Sequence, residues 1–113
     1  MTVIWNPTLD DTATRWQALA HQLGSERFAP LAPELDREQR YPWETISTLV
    51  EHKFTGLFLP VQWGGQGANL VATVAAVEAL GTHCSSTAAI MCAYQLGAFP
   101  LLLAGTDEQK SFY

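Results

Sequence analysis

The sequence of 113 residues predicts an all-α helical bundle formed by a single domain, residues 1–113. Two observations carry that prediction. Apolar residues recur at three- and four-residue steps through most of the chain, which gathers them on one face of a helix. The runs are bounded by Asp, Asn, Ser and Thr at their fronts and by Gly and Pro behind, the residues that open and close helices. No internal repeat or low-complexity segment interrupts the pattern. The length suits one core with little surface to spare.

The first helix opens near Asp10 or Asp11, either of which can accept from the free amides of a first turn. Trp16, Leu19, Ala20 and Leu23 follow at helical spacing, and Phe28, Leu31 and Leu35 extend the stripe. One helix to about Glu38 is therefore allowed, with Gly24 and Pro30 as the places where it would break or kink. Its later half pairs Glu34 with Arg37 and Asp36 with Arg40 along a solvated face. Pro42 suits the first position of a second helix, where a missing N–H costs nothing. Trp43, Ile46, Leu49 and Val50 form its expected buried stripe, and Gly56 its stop.

A short apolar run, Gly56 to Pro60, leads into a glycine-built loop, Val61 to Gly67. Asn69 then caps a third helix to about Leu80, apolar around nearly its whole circumference and therefore in need of cover on all sides. The Ser85-Ser86-Thr87 cluster can cap a fourth helix through Leu96, rich in small residues. An apolar segment broken by Pro100 ends at Gly105. Thr106 and Gln109 make a capping-box pattern for a last helix. That helix reaches Tyr113 after two turns, so the chain reads as truncated.

Composition narrows the function. The net charge is −5, and 13 of the 17 charged residues lie at or before Lys53. With no Lys/Arg cluster, the chain lacks the contacts that nucleic acid or an anionic lipid surface demands. Two cysteines, Cys84 and Cys92, cannot build a secreted disulfide framework. Met1 to Asn6 shows neither the basic nor the apolar region of a secretory signal. The uncharged stretch Ala79 to Thr106 has membrane-spanning length, yet Gly81, His83, Ser85, Ser86, Gln95, Gly97 and Pro100 interrupt it and no basic anchor flanks it. The expectation is a reduced, cytoplasmic protein without a membrane span.

No self-sufficient catalytic constellation emerges. The glycines at 64, 65 and 67 fit neither G-x-x-x-x-G-K-[ST] nor G-x-G-x-x-G after a strand, which favours a structural turn over a phosphate cradle. His21, His52 and His83 have no metal-ligand spacing, and His83 and Cys84, as neighbours, point apart on a helix. The serines lack a nucleophile elbow. Apart from Glu78, nearly all carboxylates sit where nothing would raise their pKa. No catalytic, cofactor-binding or metal-binding residue is therefore assigned. Cys84, Ala88, Cys92 and Leu96 share one helical face, and residue type leaves two readings open: ordinary close helix packing, or the wall of an apolar ligand cavity.

Several stretches taken in order resemble the N-terminal helical domain of the acyl-CoA dehydrogenase family. They are Phe28-Ala-Pro-Leu-Ala-Pro-Glu-Leu-Asp, Tyr41-Pro42 opening a helix, Gly56-Leu57 leading to Pro60, and the Gly64-Gly65-x-Gly67 loop. Leu96-Gly97-x-x-Pro100 and Ala104-Gly105-Thr106-x-Glu108-Gln109-Lys110 with Tyr113 complete the set. The order and spacing run over nearly the whole chain, and the Gly-Thr-x-Glu-Gln-Lys stretch is the most specific piece.

That resemblance implies a larger enzyme in which a β domain and a second helical bundle follow this one. It implies FAD, held mainly by those absent domains, and an acyl-CoA or other acyl-thioester substrate. The family's reaction is α,β-dehydrogenation: a carboxylate takes the α-proton while the β-hydrogen leaves as hydride to the flavin, the protein supplying orientation and exclusion of water. The base and the flavin ligands fall outside these residues, so none is carried over and the chain alone is expected to be inactive. What does carry over is the acyl-chain cavity wall, matched by Ala88, Ala89, Cys92 and Leu96, with Tyr94 directed to a neighbouring domain. A homo-oligomer is implied for the complete enzyme. An acyl-CoA oxidase, a nitroalkane oxidase or a flavin monooxygenase on the same scaffold is the alternative within enzymes. A stand-alone helical module that binds a partner protein is the alternative outside them. On the family reading, the charge-poor half is interior surface of a bigger molecule.

Overall fold

A computed structural model describes residues 8–113; Met1 to Asn6, with their lack of a secretory signal, lie outside the described residues. Among the described residues all regular structure is helical: α1 Asp11–Leu23, α2 Ala29–Glu38, α3 Trp43–Glu51, α4 Leu70–His83, α5 Ser85–Ala104 and α6 Asp107–Phe112. The bundle is all-α, as the periodicity predicts.

The first two helices form one rod joined by a π turn, Gly24–Phe28, in which the Ala29 N–H reaches back to the Gly24 carbonyl. The widened turn leads directly into Pro30. Its missing N–H leaves the carbonyl four residues back without a helical partner, and the wider turn absorbs that mismatch. The break that Gly24 and Pro30 threatened is thus a local rewinding. Asp10 caps α1, its carboxylate accepting from the Ala13 N–H at 2.7 Å.

α2 ends where Gln39 turns left-handed, φ 50°. That turn takes Arg40 off the helix, so the expected Asp36–Arg40 and Glu34–Arg37 pairs are replaced by a corner built on Arg40. Its guanidinium donates to Glu34 and Glu38 at 2.8 Å and to both oxygens of Glu44 at 2.8 and 2.9 Å. Hydrogen bonds from Arg40, followed by the backbone N–H of Glu44 itself, hold the Glu44 carboxyl below the usual carboxylate range. A depressed folded-state pKa stabilises above the unfolded value and loses that contribution as pH falls through the folded one. The difference in unfolding midpoint between the parent and Arg40→Gln is therefore expected to be largest near neutral pH and to shrink below about pH 4. Because the corner is exposed, salt should shrink it too. A difference that ignores pH in chemical denaturation would refute the corner's role.

Pro42 occupies the cap position of α3, one residue earlier than expected. The stripe expected for α3 also shifts. Ile46 and Leu49 are buried, but Trp43 and Val50 are exposed, and Thr45 and Thr48 face inward instead. Thr48 can do so because its hydroxyl donates to the Glu44 carbonyl at 3.0 Å, as buried polar groups require. Lys53, left-handed at φ 67°, closes α3 before Gly56 is reached.

The core lies between α1 and α4, the most extensively packed pair. Ala13, Trp16, Ala20 and Leu23 meet Ala72, Ala76, Ala79 and Leu80, and the small side chains let the helices approach closely. Phe28, Leu49, Phe54 and Leu57 close the far side. Asn69 caps α4 through a 2.8 Å bond from the Ala72 N–H, and the helix runs beyond Leu80 to His83. The cover expected all round α4 is incomplete within this chain, since Leu70, Val71 and Val74 remain exposed. The molecule is a slab of 46 × 37 × 21 Å. Its radius of gyration, 14.9 Å, exceeds the roughly 13 Å of a compact domain of this length.

Candidate functional site

Helix α5 carries the residues singled out from sequence. Its cap is Cys84 in an extended conformation, without a side-chain hydrogen bond, and not the Ser85-Ser86-Thr87 cluster. Thr87 instead points inward, its hydroxyl buried without a partner. The helix also runs beyond Leu96, through Gly97 and Pro100, to Ala104. Only Thr87 and Met91 of its 20 residues are buried. Among the described residues it is the one helix long and apolar enough to cross a membrane by length and composition.

A helix advances about 100° per residue, so α5 presents distinct faces. Thr87 and Met91 face the core. Ala88 sits beside them, half-buried, close enough to α4 that a Cβ on Gly81 would lie 3.4 Å from its own. Ala89, Cys92 and Leu96 follow on the outward side, all exposed, with Leu96 at 76%. The four predicted residues thus form one uncharged stripe running from the packed edge onto open surface. Leu103, 84% exposed, continues the apolar surface towards the helix end. Isolated exposed hydrophobes are ordinary, whereas contiguous apolar surface is characteristic of binding and interaction sites.

On the other flank of α5 lies a groove of about 700 Å³, lined by Ile90, Ala93, Tyr94 and Leu101 together with Tyr41 and Tyr113. None of the four predicted residues lines it. Burial, and to a lesser extent the nearby Tyr41, pushes the Tyr94 hydroxyl above its ordinary pKa. Sequence reasoning missed this groove. The spacing of Ile90, Ala93, Gly97 and Leu101 was a visible signal, but Tyr41 comes from the α2–α3 corner, a contact no local pattern announces.

The glycine loop is a turn, as expected. Its amides are committed to its own closure: Gly64 to Val61, Gly65 to Pro60, Gln66 to Gly56 and Gly67 to Leu59, at 2.8–3.1 Å. No phosphate-binding nest is left. Lys and Arg are absent between Lys53 and Lys110. Among the described residues no group of three or more His, Cys, Asp or Glu gathers around a point. His21 and His83, far apart in sequence, do come together.

The capping box at the C-terminal side forms as predicted: Gln109 N–H donates to the Thr106 hydroxyl and Thr106 N–H to the Gln109 side chain.

Comparison with known proteins agrees with this architecture. The family model described as "Acyl-CoA dehydrogenase, N-terminal domain" matches residues 10–113. A 3-sulfinopropanoyl-CoA desulfinase of Paraburkholderia xenovorans is 36% identical over 90% of this chain and 26% of its own length. An acryloyl-CoA reductase (NADH) of Anaerotignum propionicum is 32% identical over 93% of this chain and 28% of its own. The butyryl-CoA dehydrogenase structure of Megasphaera elsdenii superposes with a TM-score of 0.87 at 28% identity, covering 96% of this chain and 30% of that one. A chain in the structure of the electron-transferring flavoprotein of Acidaminococcus fermentans gives 0.89 at 26% identity, over 96% and 29%. This chain therefore spans between a quarter and a third of each of these relatives. A model match over nearly the whole chain, an all-helical bundle and two close superpositions lead to one conclusion: the chain belongs to the acyl-CoA dehydrogenase family, as its N-terminal helical domain.

Proposed function

We propose that the chain is the N-terminal part of a cytoplasmic, FAD-dependent oxidoreductase that dehydrogenates an acyl thioester, and that the Ala88, Ala89, Cys92 and Leu96 face of α5 forms one wall of the acyl-chain cavity. The observation that carries this reading is the uncharged outward face of α5, lying inside the region the family model matches. An acyl chain needs an apolar wall with few fixed polar groups, and small residues leave it room. The same apolarity serves protein and ligand contact and not contact with lipid.

In this scheme FAD supplies the hydride acceptor, and its site lies in the domains that would follow. The chain's own residues bind and orient: contacts along the acyl tail, remote from the reacting carbons, hold those carbons in register. A β domain and a second helical bundle would cover the exposed apolar surface, and the complete enzyme would be a homo-oligomer.

Purified on its own, the full chain is expected to show no flavin absorbance and no dehydrogenation of acyl-CoA. A yellow, stoichiometric FAD complex would overturn the assignment of the flavin site to other domains. A defined complex with a protein partner unrelated to flavoenzyme domains would favour the stand-alone module instead.

A further inference from the structure

The last turn of α1 and the end of α4 lie side by side, and they bring together two histidines that are 62 positions apart. His21 Nδ1 and His83 Nε2 are 3.1 Å from each other. The rings stand nearly perpendicular, at 82°, with centroids 5.4 Å apart. Gly24, at the start of the π turn, makes this approach possible: a Cβ there would collide with the His83 ring. The absence of a side chain at that one position lets the imidazole of α4 lie against the end of α1.

We propose that His21 and His83 form a two-histidine half-site for a divalent transition-metal ion, Zn²⁺ or Cu²⁺, which staples the end of α1 to the end of α4. Neutral imidazole nitrogens are the common ligands of these ions. Two nitrogens each about 2.05 Å from a tetrahedral Zn²⁺ stand about 3.3 Å apart, so the observed separation needs to open by only a few tenths of an ångström. His83 ends α4 and α5 begins at Ser85, so a negative and a positive helix end meet beside the pair and neither sets its charge preference. A hydrogen bond between the same two nitrogens is exposed and competes with water, so it gains little by comparison.

Among the described residues no third His, Cys, Asp or Glu joins the pair. The remaining coordination positions therefore belong to water, and binding is reversible and weaker than in a closed structural site. The order of divalent affinities places Cu²⁺ above Zn²⁺ here. The staple acts where the core helix pair ends, so an ion bound only by the folded chain raises its unfolding temperature. None of this depends on the acyl-CoA reading.

The test uses the full chain in a non-coordinating buffer, with CuCl₂ and ZnCl₂ as probes. Copper is expected to bind at one ion per chain and to show spin-resonance couplings to two nitrogens, and zinc to raise the unfolding temperature. His21→Gln and His83→Gln should each weaken zinc binding by about tenfold or more and reduce the copper signal to one nitrogen. Cys92→Ser and His52→Gln should leave both readouts unchanged. The proposal falls if the unaltered chain gives no two-nitrogen copper signal, if the double variant His21→Gln, His83→Gln binds as the parent does, or if Cys92→Ser removes the binding.

Discussion

Gly65→Ala is expected to destabilise the chain by at least about 2 kcal/mol, and by more than Gly64→Ala, although Gly64 is the glycine with the left-handed backbone. The two residues are glycine for different reasons. Gly64 has φ 85° and nothing within 4 Å of where its Cβ would be, so alanine there carries only the left-handed backbone cost, about 1–2 kcal/mol. At Gly65 a Cβ would sit on the Leu59 carbonyl and Cβ, which are backbone or tied to it. Relief requires moving the Leu59 peptide, whose oxygen accepts from the Gly67 N–H at 2.8 Å. That movement also disturbs the neighbouring bonds from Gln66 to Gly56 and from Ala68 to Leu57. The loop fixes where Asn69 starts α4, so the damage propagates to the core helix. Urea unfolding of the two variants decides it: equal costs, or a larger one for Gly64→Ala, would refute the close-packing account.

This loop shows what the sequence made legible and what it did not. Three glycines in four residues announced a turn, and the mismatch with phosphate-binding patterns announced that it was structural. Which of the three was indispensable depends on Leu59 folding back against Gly65, a contact the spacing does not encode. The same division holds elsewhere. Asp10, Asn69 and the Thr106–Gln109 box were readable as caps because capping acts within three residues. Arg40 was not readable, because one left-handed residue, Gln39, redirected it from Asp36 to three glutamates. Trp43 and Val50 were expected inside on periodicity alone, while Thr45 and Thr48 took the inner face. Periodicity finds an apolar stripe but not the neighbour that will cover it. Helix α5 is the extreme case. Its uncharged sequence announced burial, yet within this chain only Thr87 and Met91 are buried.

The largest single loss is expected for Phe54→Ala, about 3–5 kcal/mol. Phe54 is completely buried and meets Trp16 of α1 edge to face, with ring centroids 5.3 Å apart. Truncation removes the apolar transfer energy of the ring, its packing with the indole, and the support of a cavity wall that cannot fully collapse. A domain of this size has a total stability of about 5–15 kcal/mol, so such a loss is a large fraction of the whole. The consequence reaches further than the core. Phe54 anchors the short 3₁₀ turn after α3, from which Phe58 extends to Phe99 of α5 at 5.0 Å between centroids. Loosening the anchor should therefore weaken the seating of α5 as well as the α1–α4 core. Phe58→Ala isolates the second effect, because Phe58 is only partly buried and lies outside the main core cluster. Hydrogen exchange should show α5 amides losing protection in both variants, and α1 and α4 amides only in Phe54→Ala. Unchanged α5 protection in Phe58→Ala would mean that α5 is held by α4 alone.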